Sequence, residues 1–251
     1  GSSMRIGHAS ISENGNNGRD GRAKAGDQTG KEVCIRSFYK KPWLYCLRCK
    51  DPKKREIMAQ ACEWLCNSGL VGYDQSQRLT LHKELMSISF EYKKLKNKCE
   101  CDCSSFMTAL CEIAGIFPDY TSGNAPVTAN MVMKFKATGM FDVLTDNINE
   151  EYNLKRGDIL VGAPNTHTVM VLDDGVAKVV TKRRTLKRGM SGSDVGMMQK
   201  ILADQGYPVG TADGIFGKKT EAAVKQFQVE KMLVVDGICG PKTWLMLEQY
   251  V

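Results

Sequence analysis

The chemistry most readily built from this chain is a thiol nucleophile served by an imidazole base, and its members are Cys103 and His167. In Glu100-Cys101-Asp102-Cys103-Ser104-Ser105-Phe106, continuing through Gly115, the apolar positions Phe106, Leu110, Ile113 and Ala114 recur at helical spacing. Asp102 suits the N-cap and Gly115 the stop. Cys103 then falls in the first helical turn, where unpaired N–H groups and the positive end of the helix dipole favour thiolate over thiol. The same N–H groups can stabilise the oxyanion that forms when a thiolate attacks a carbonyl. The base must come from His8, His82 or His167. His167 opens the β-branched run His167-Thr168-Val169-Met170-Val171-Leu172, which the turn signal Asp173-Asp174-Gly175 ends, so it is expected at the start of a strand. His8, near a loose start, and His82, in a polar stretch, are expected at the surface or in local hydrogen bonds.

The elements that must position this pair belong to a chain of 251 residues, 42% hydrophobic and 25% charged, which is long enough for two cores. Gly1-Ser2-Ser3 reads as the remnant of a cleaved tag and Met4 as the start. No export signal or apolar run of membrane-spanning length is evident, so synthesis in the cytoplasm is expected. A formal charge of +7 favours polyanionic partners without choosing among them. The basic residues are scattered except for Lys182-Arg183-Arg184 and Lys187-Arg188, which are expected as a solvated linker and not as a nucleic-acid site. Ten cysteines without a signal peptide imply reduced thiols. Cys46-x-x-Cys49 with Cys62 and Cys66, and the group Cys99, Cys101 and Cys103, invite a zinc reading. Cys62 and Cys66 sit instead in a helical pattern whose buried stripe is Ile57, Ala61 and Leu65, so small core fillers are the better account.

The last third repeats itself: Asp213-Gly214-Ile215-Phe216-Gly217-Lys218-Lys219-Thr220 returns as Asp236-Gly237-Ile238-Cys239-Gly240-Pro241-Lys242-Thr243. Each copy is a turn leading into a helix, and a further helical pattern precedes the first, so three short helices are expected. Val224, Phe227, Leu233 and Leu245 are expected in their core. With Leu186-x-Arg188-Gly189, Gln199, Phe227-Gln228 and Trp244, the segment from residue 186 onward resembles the type 1 peptidoglycan-binding domains. That resemblance implies wall binding without chemistry.

Asp102-Cys103-Ser104-Ser105-Phe106, then Arg156-Gly157-Asp158-Ile159-Leu160-Val161, then the His167 strand, resembles the NlpC/P60 cell-wall peptidases over residues 100–181. Gly26-Asp27-Gln28-Thr29-Gly30-Lys31-Glu32-Val33 with Gly72-Tyr73-Asp74-Gln75 looks like an N-terminal extension of phage lysins of this type. The resemblance implies an α+β, papain-like catalytic domain, helices packed on an antiparallel sheet, over residues 4–181. A linker at 182–185 and a three-helix domain at 186–251 follow. It also implies a third polar residue that orients the imidazole from the next strand. Folding a hairpin about Asp173-Asp174-Gly175 pairs Val171 with Ala177, Val169 with Val179 and His167 with Thr181. Thr181 is thus one candidate orienter and Asp27 another, beside a main-chain carbonyl or an unaided Cys-His dyad. Asp102 and Ser104 are implied to hold the amino end of the substrate peptide. Asp102 also suits a helix cap.

The activity implied is hydrolysis of the stem peptide between D-Glu and the diamino acid, in the manner of a phage endolysin that reaches the wall after release. An N-acetylmuramoyl-L-alanine amidase using the same two residues is the alternative. A catalytically inactive wall-binding protein is a third reading. Peptidoglycan is the expected partner of a monomer that uses no metal or organic cofactor, binds no nucleic acid and does not insert in a membrane.

Overall fold

The computed structural model describes residues 4–175 and 183–250. Two compact units divide the chain, Gly1–Ala177 and Lys178–Val251. The first is mixed α and β. Its strands are β1 (Arg5–Ala9), β2 (Val33–Ser37), β3 (Tyr45–Cys49), β4 (Val71–Tyr73), β5 (Cys99–Cys101), β6 (Phe141–Leu144), β7 (Ile159–Val161) and β8 (Thr168–Val171). Its helices are α1 (Pro52–Ser68), α2 (Thr80–Ser87), α3 (Cys103–Ile113) and α4 (Met131–Ala137). Six strands form one sheet in the order β2-β1-β8-β7-β3-β6, each neighbouring pair antiparallel, while β4 and β5 form a separate parallel pair.

Alternation along the strands gives the sheet two apolar faces. Ala9, Leu47, Ile159, Val161 and Met170 join α1 and α3 in the main core, whereas Ile6, Cys46, Leu160, Val169 and Val171 meet Trp43, Phe38 and Leu154 on the other side. α1 starts where Asp51 accepts the Lys53 amide at 2.9 Å, with Pro52 inside the first turn, and ends at Gly69 in the left-handed region. Gly7 lets this helix lie close to β1, because a Cβ there would stand 2.4 Å from Cys62 Sγ. The buried stripe of α1 is Met58, Ala59, Ala61, Cys62 and Leu65. Ile57, expected on it, is 41% exposed, since the helix starts earlier and packs one position further round than the short pattern indicates. Eight of the ten cysteines are buried, and no group of three His, Cys, Asp or Glu side chains among the described residues is arranged for a metal ion.

β8 lies inside the sheet. A strand has two edges, and β8 gives one to β7, pairing Leu160 with Val169, and the other to β1, pairing Ile6 with Val171 and Gly7 with Met170. The expected partners Ala177, Val179 and Thr181 lie outside the described residues. Asp173 at the end of β8 turns to Arg5, and Asp174 accepts the Arg156 amide at 3.0 Å.

The second unit is helical: α5 (Ser193–Asp204), α6 (Lys218–Glu230) and α7 (Pro241–Leu247). Leu186, Val195, Leu202, Phe216, Val224, Phe227, Cys239 and Trp244 form its core, Leu233 packs on the edge, and Leu245, expected inside, is 51% exposed. The sequence repeat becomes a repeated clamp. Gln199 Nε2 lies within hydrogen-bonding distance of Asp213 Oδ1, Ile215 O and Thr220 Oγ1, and its Oε1 accepts the Gly214 amide at 2.8 Å. Gln228 does the same with Asp236, Ile238, Thr243 and Gly237. Both amides are buried and fully engaged, as a buried polar group must be. Arg183 and Arg184, expected in a solvated linker, are tied into this unit: Arg183 to Glu248 and the Trp244 ring, Arg184 to Asp194 at 2.7 Å. Among the described residues no helix is long and apolar enough to cross a membrane.

Candidate active site

The N-terminus of α3 is built by a reciprocal cap. Asp102 Oδ1 accepts the Ser105 amide at 3.0 Å while the Ser105 hydroxyl accepts the Asp102 amide at 2.9 Å. Cys103 is therefore the first helical residue, and it is 8% exposed. α3 packs against β8, the strand that follows His167. The helix that Cys103 starts and the strand that His167 precedes are thus brought together. Burial pushes the thiol up to about 11, with Asp102 adding to the rise and the Thr168 and Ser104 backbone amides and Arg78 opposing it.

His167 is 7% exposed. Its Nε2 lies 2.8 Å from Nδ1 of His8, itself 2% exposed. The register of β1 on β8 puts His8 opposite Val169, so His8 and His167 are diagonal neighbours on one face of the sheet. Trp43 and Tyr39 close around them, with ring centroids 6.4 Å from His167 and 6.3 Å from His8. Burial in this aromatic wall drops His167 to about 3, helped by His8, Lys41 and Arg36, and drops His8 to about 4, helped by Arg36 and Lys41. At neutral pH both rings are therefore uncharged, one donating to the other.

His8 is the residue that sequence reasoning left at the surface. Its signal was the alternation Ile6, His8 against Gly7, Ala9, but its partner is 159 residues away, beyond any local pattern. His82 bonds Glu112 Oε1 at 2.9 Å on α3, where Tyr120 also reaches the carboxylate. Asp27, expected as an orienter, is spent on its own loop, accepting the amides of Thr29 and Gly30 at 3.0 and 2.7 Å. Thr181 lies outside the described residues. Asp102 and Ser104 are both engaged by Arg78, at 2.8 and 3.0 Å, a residue the sequence did not single out. An apolar cavity of about 740 Å³ lies beside the loop leading to His167, lined in part by Tyr45, Val132, Met133, Gly162 and Pro164.

Residues 6–178 match the family described as an endolysin-like domain, and residues 191–247 match the peptidoglycan binding domain family. The N-acetylmuramoyl-L-alanine amidase CwlM of Mycobacterium tuberculosis is 31% identical over 109 residues, 43% of this chain and 27% of that protein. A spore cortex-lytic enzyme of Bacillus cereus is 42% identical over 64 residues, 26% of this chain and 25% of that enzyme. The chain thus spans about a quarter of the length of these relatives. Among solved structures, a Burkholderia AP3 phage endolysin is 42% identical over 26% of this chain and 25% of its own, with a TM-score of 0.26.

Proposed function

The chain belongs to the endolysin-like domain family, and on that premise we propose that it is a peptidoglycan hydrolase working by cysteine catalysis, with the papain-like chemistry of the NlpC/P60 peptidases. The observation that carries this reading is the packing of α3, which Cys103 starts, against β8, just before which a buried His167 ring is held by His8 at 2.8 Å. Residues 4–181 are the catalytic part and 186–251 the wall-binding part.

His8 occupies Nε2 of His167, which leaves Nδ1 as the nitrogen for the thiol. With the thiol raised and the imidazole lowered, the resting pair is neutral, and His167 takes the proton as sulfur attacks a stem-peptide carbonyl. The Ser105 and Phe106 amides are already bonded to Asp102, so the Cys103 amide is the first-turn donor for the oxyanion. His167 then protonates the leaving amine, and water hydrolyses the thioester. His8 keeps the imidazole in one tautomer and orientation, the part that Thr181 or Asp27 was expected to play. The cavity beside the His167 loop receives the apolar flank of the stem.

The bond cut is the γ-D-glutamyl–diamino acid bond, and the amidase bond is the alternative that the names of CwlM and a Bacillus licheniformis amidase favour. Mass spectrometry of fragments released from purified sacculi separates the two, with Cys103→Ala beside the native protein. A new amino terminus on the diamino acid, absent with the variant, is the expected result. Free L-Ala amino termini with intact lactyl groups make it an amidase, and release that persists in the variant removes the cysteine mechanism.

A further inference from the structure

The internal repeat of the second unit shapes two cavities of nearly equal size, about 400 Å³ beside the start of α6 and about 380 Å³ beside the start of α7. Their floors match. Gln199, Asp213 and Thr220 line the first, and their counterparts Gln228, Asp236 and Thr243 line the second. Within each clamp these side chains bond one another, so the floors are fixed and have little left to give a ligand. The rims differ. Gly210, Thr211 and Lys218 border the first cavity and Leu233, Val234 and Pro241 the second, while one lysine, Lys219 or Lys242, is common to both. Lys219 folds across Gly210, where a Cβ would stand 3.2 Å from its Cδ. Lys218 and Lys219 are exposed, and among the described residues neither forms an ion pair. The first cavity thus sets two lysines against one aspartate. The second balances one against one and presents aliphatic walls, with Val234 78% and Ile238 36% exposed.

A rim with surplus ammonium groups favours an oxyanion, whereas an uncharged aliphatic rim gains by covering methyl groups. Resting on the wall-binding reading above, we propose that the second unit carries two ligand sites of different chemistry. The cavity at Lys218 and Lys219 takes an oxyanion of the wall, carboxylate or phosphate. The cavity at Val234 and Pro241 takes an uncharged, methyl-bearing group, the N-acetyl of a wall sugar. Two such contacts on one strand reinforce each other, because the first holds the second at a high effective concentration. The backbone allows the rims to be exchanged. Gly217 before Lys218 has φ −97° and ψ −168°, and Gly240 before Pro241 has φ −90° and ψ −171°. Both are extended, as a residue preceding proline must be, and each following residue opens a helix, where proline is accepted.

The test uses the full chain carrying Cys103→Ala, so that nothing is cleaved, and measures its retention on purified sacculi, with and without their phosphate-bearing polymers, across a salt series. Thr211→Val with Lys218→Pro gives the first cavity the rim of the second, and is expected to weaken binding about tenfold at low salt and to flatten the salt dependence. Val234→Thr with Pro241→Lys makes the opposite exchange, and is expected to steepen the salt dependence and to weaken binding about tenfold at high salt, where added charge no longer compensates. If either pair fails to fold, Lys219→Gln and Val234→Ser, single changes at exposed positions, give the same two readouts. A lysine effect on stripped sacculi assigns the oxyanion to a stem carboxylate, and one confined to unstripped sacculi assigns it to phosphate. Equal salt slopes in all variants, or unchanged retention, overturn the inference while the wall-binding reading stands. No retention of the Cys103→Ala chain on either preparation overturns both.

Discussion

At the scale of single residues, the site depends on two imidazoles that share one hydrogen-bonded proton. Whichever ring donates, the other must accept, so a second proton sets two donors face to face. His8→Ala leaves His167 free to turn, and kcat on muropeptides is expected to fall about 10²-fold with little change in KM. His8→Gln, which can still bond Nε2, is expected to recover part of it. The same rings enter the stability balance. Their folded pKa values lie below the ordinary 6.5, so the unfolded chain binds more protons from pH 6.5 down to about 4, and stability falls with acid through that window. Buried Glu32 and Glu100 act in the opposite sense. Burial raises both to about 7, their stabilising protonation is lost as pH climbs from 4.5 through 7, and the two slopes oppose each other. Glu100 is 5% exposed, and its Oε2 finds no hydrogen-bond partner among the described residues. Glu100→Gln removes one opposing slope, so it is expected to gain about 2 kcal/mol at pH 8 and to lose stability more steeply toward pH 5 than the native protein. Urea unfolding at four or five pH values reads both effects; parallel curves would refute the assignment.

At the scale of elements, close approach is what holds β1 and β4 where they are. A Cβ at Gly72 would stand 2.1 Å from the Gly26 carbonyl, and one at Gly7 2.4 Å from Cys62 Sγ. Gly72→Ala and Gly7→Ala are therefore each expected to cost about 1–3 kcal/mol by forcing neighbours aside. The two should differ in function. Gly7 adjoins His8 on the strand that presents it, so Gly7→Ala is expected to lower kcat at temperatures where the protein is fully folded, and Gly72→Ala, on the separate β4–β5 pair, much less. Kinetics beside denaturant unfolding distinguish them. α3 was legible in advance because its cap, stop and apolar period all lie within a dozen residues of sequence. β8 was legible as a strand, but not its neighbours, because period-2 patterning shows which side is buried and is silent on which strand lies alongside.

At the scale of the whole molecule, two units with separate apolar cores imply two unfolding events. Phe227, fully buried in the second core, tests this. Phe227→Ala is expected to cost that unit about 3–5 kcal/mol, enough to displace one calorimetric transition while leaving the other in place. Cleavage of soluble muropeptides is expected to persist and retention on sacculi to fall. A single transition that moves as one would show that the units unfold together. What the sequence determined alone was local: the Cys103 helix start, the His167 strand, and the repeat whose glycines and glutamines close two equivalent clamps. Each is written in residues near one another, where capping, turn and periodic preferences act. What only the tertiary structure decided was the company these residues keep. His8 reaches His167 because β1 takes an edge of β8, and Arg78 pairs with Asp102 because the start of α3 and the loop of Asn124, Ala125 and Pro126 bring five acceptors to one guanidinium. Such contacts form between segments dozens to more than a hundred residues apart, and the burial and charge of a side chain depend on them and not on its neighbours in the chain.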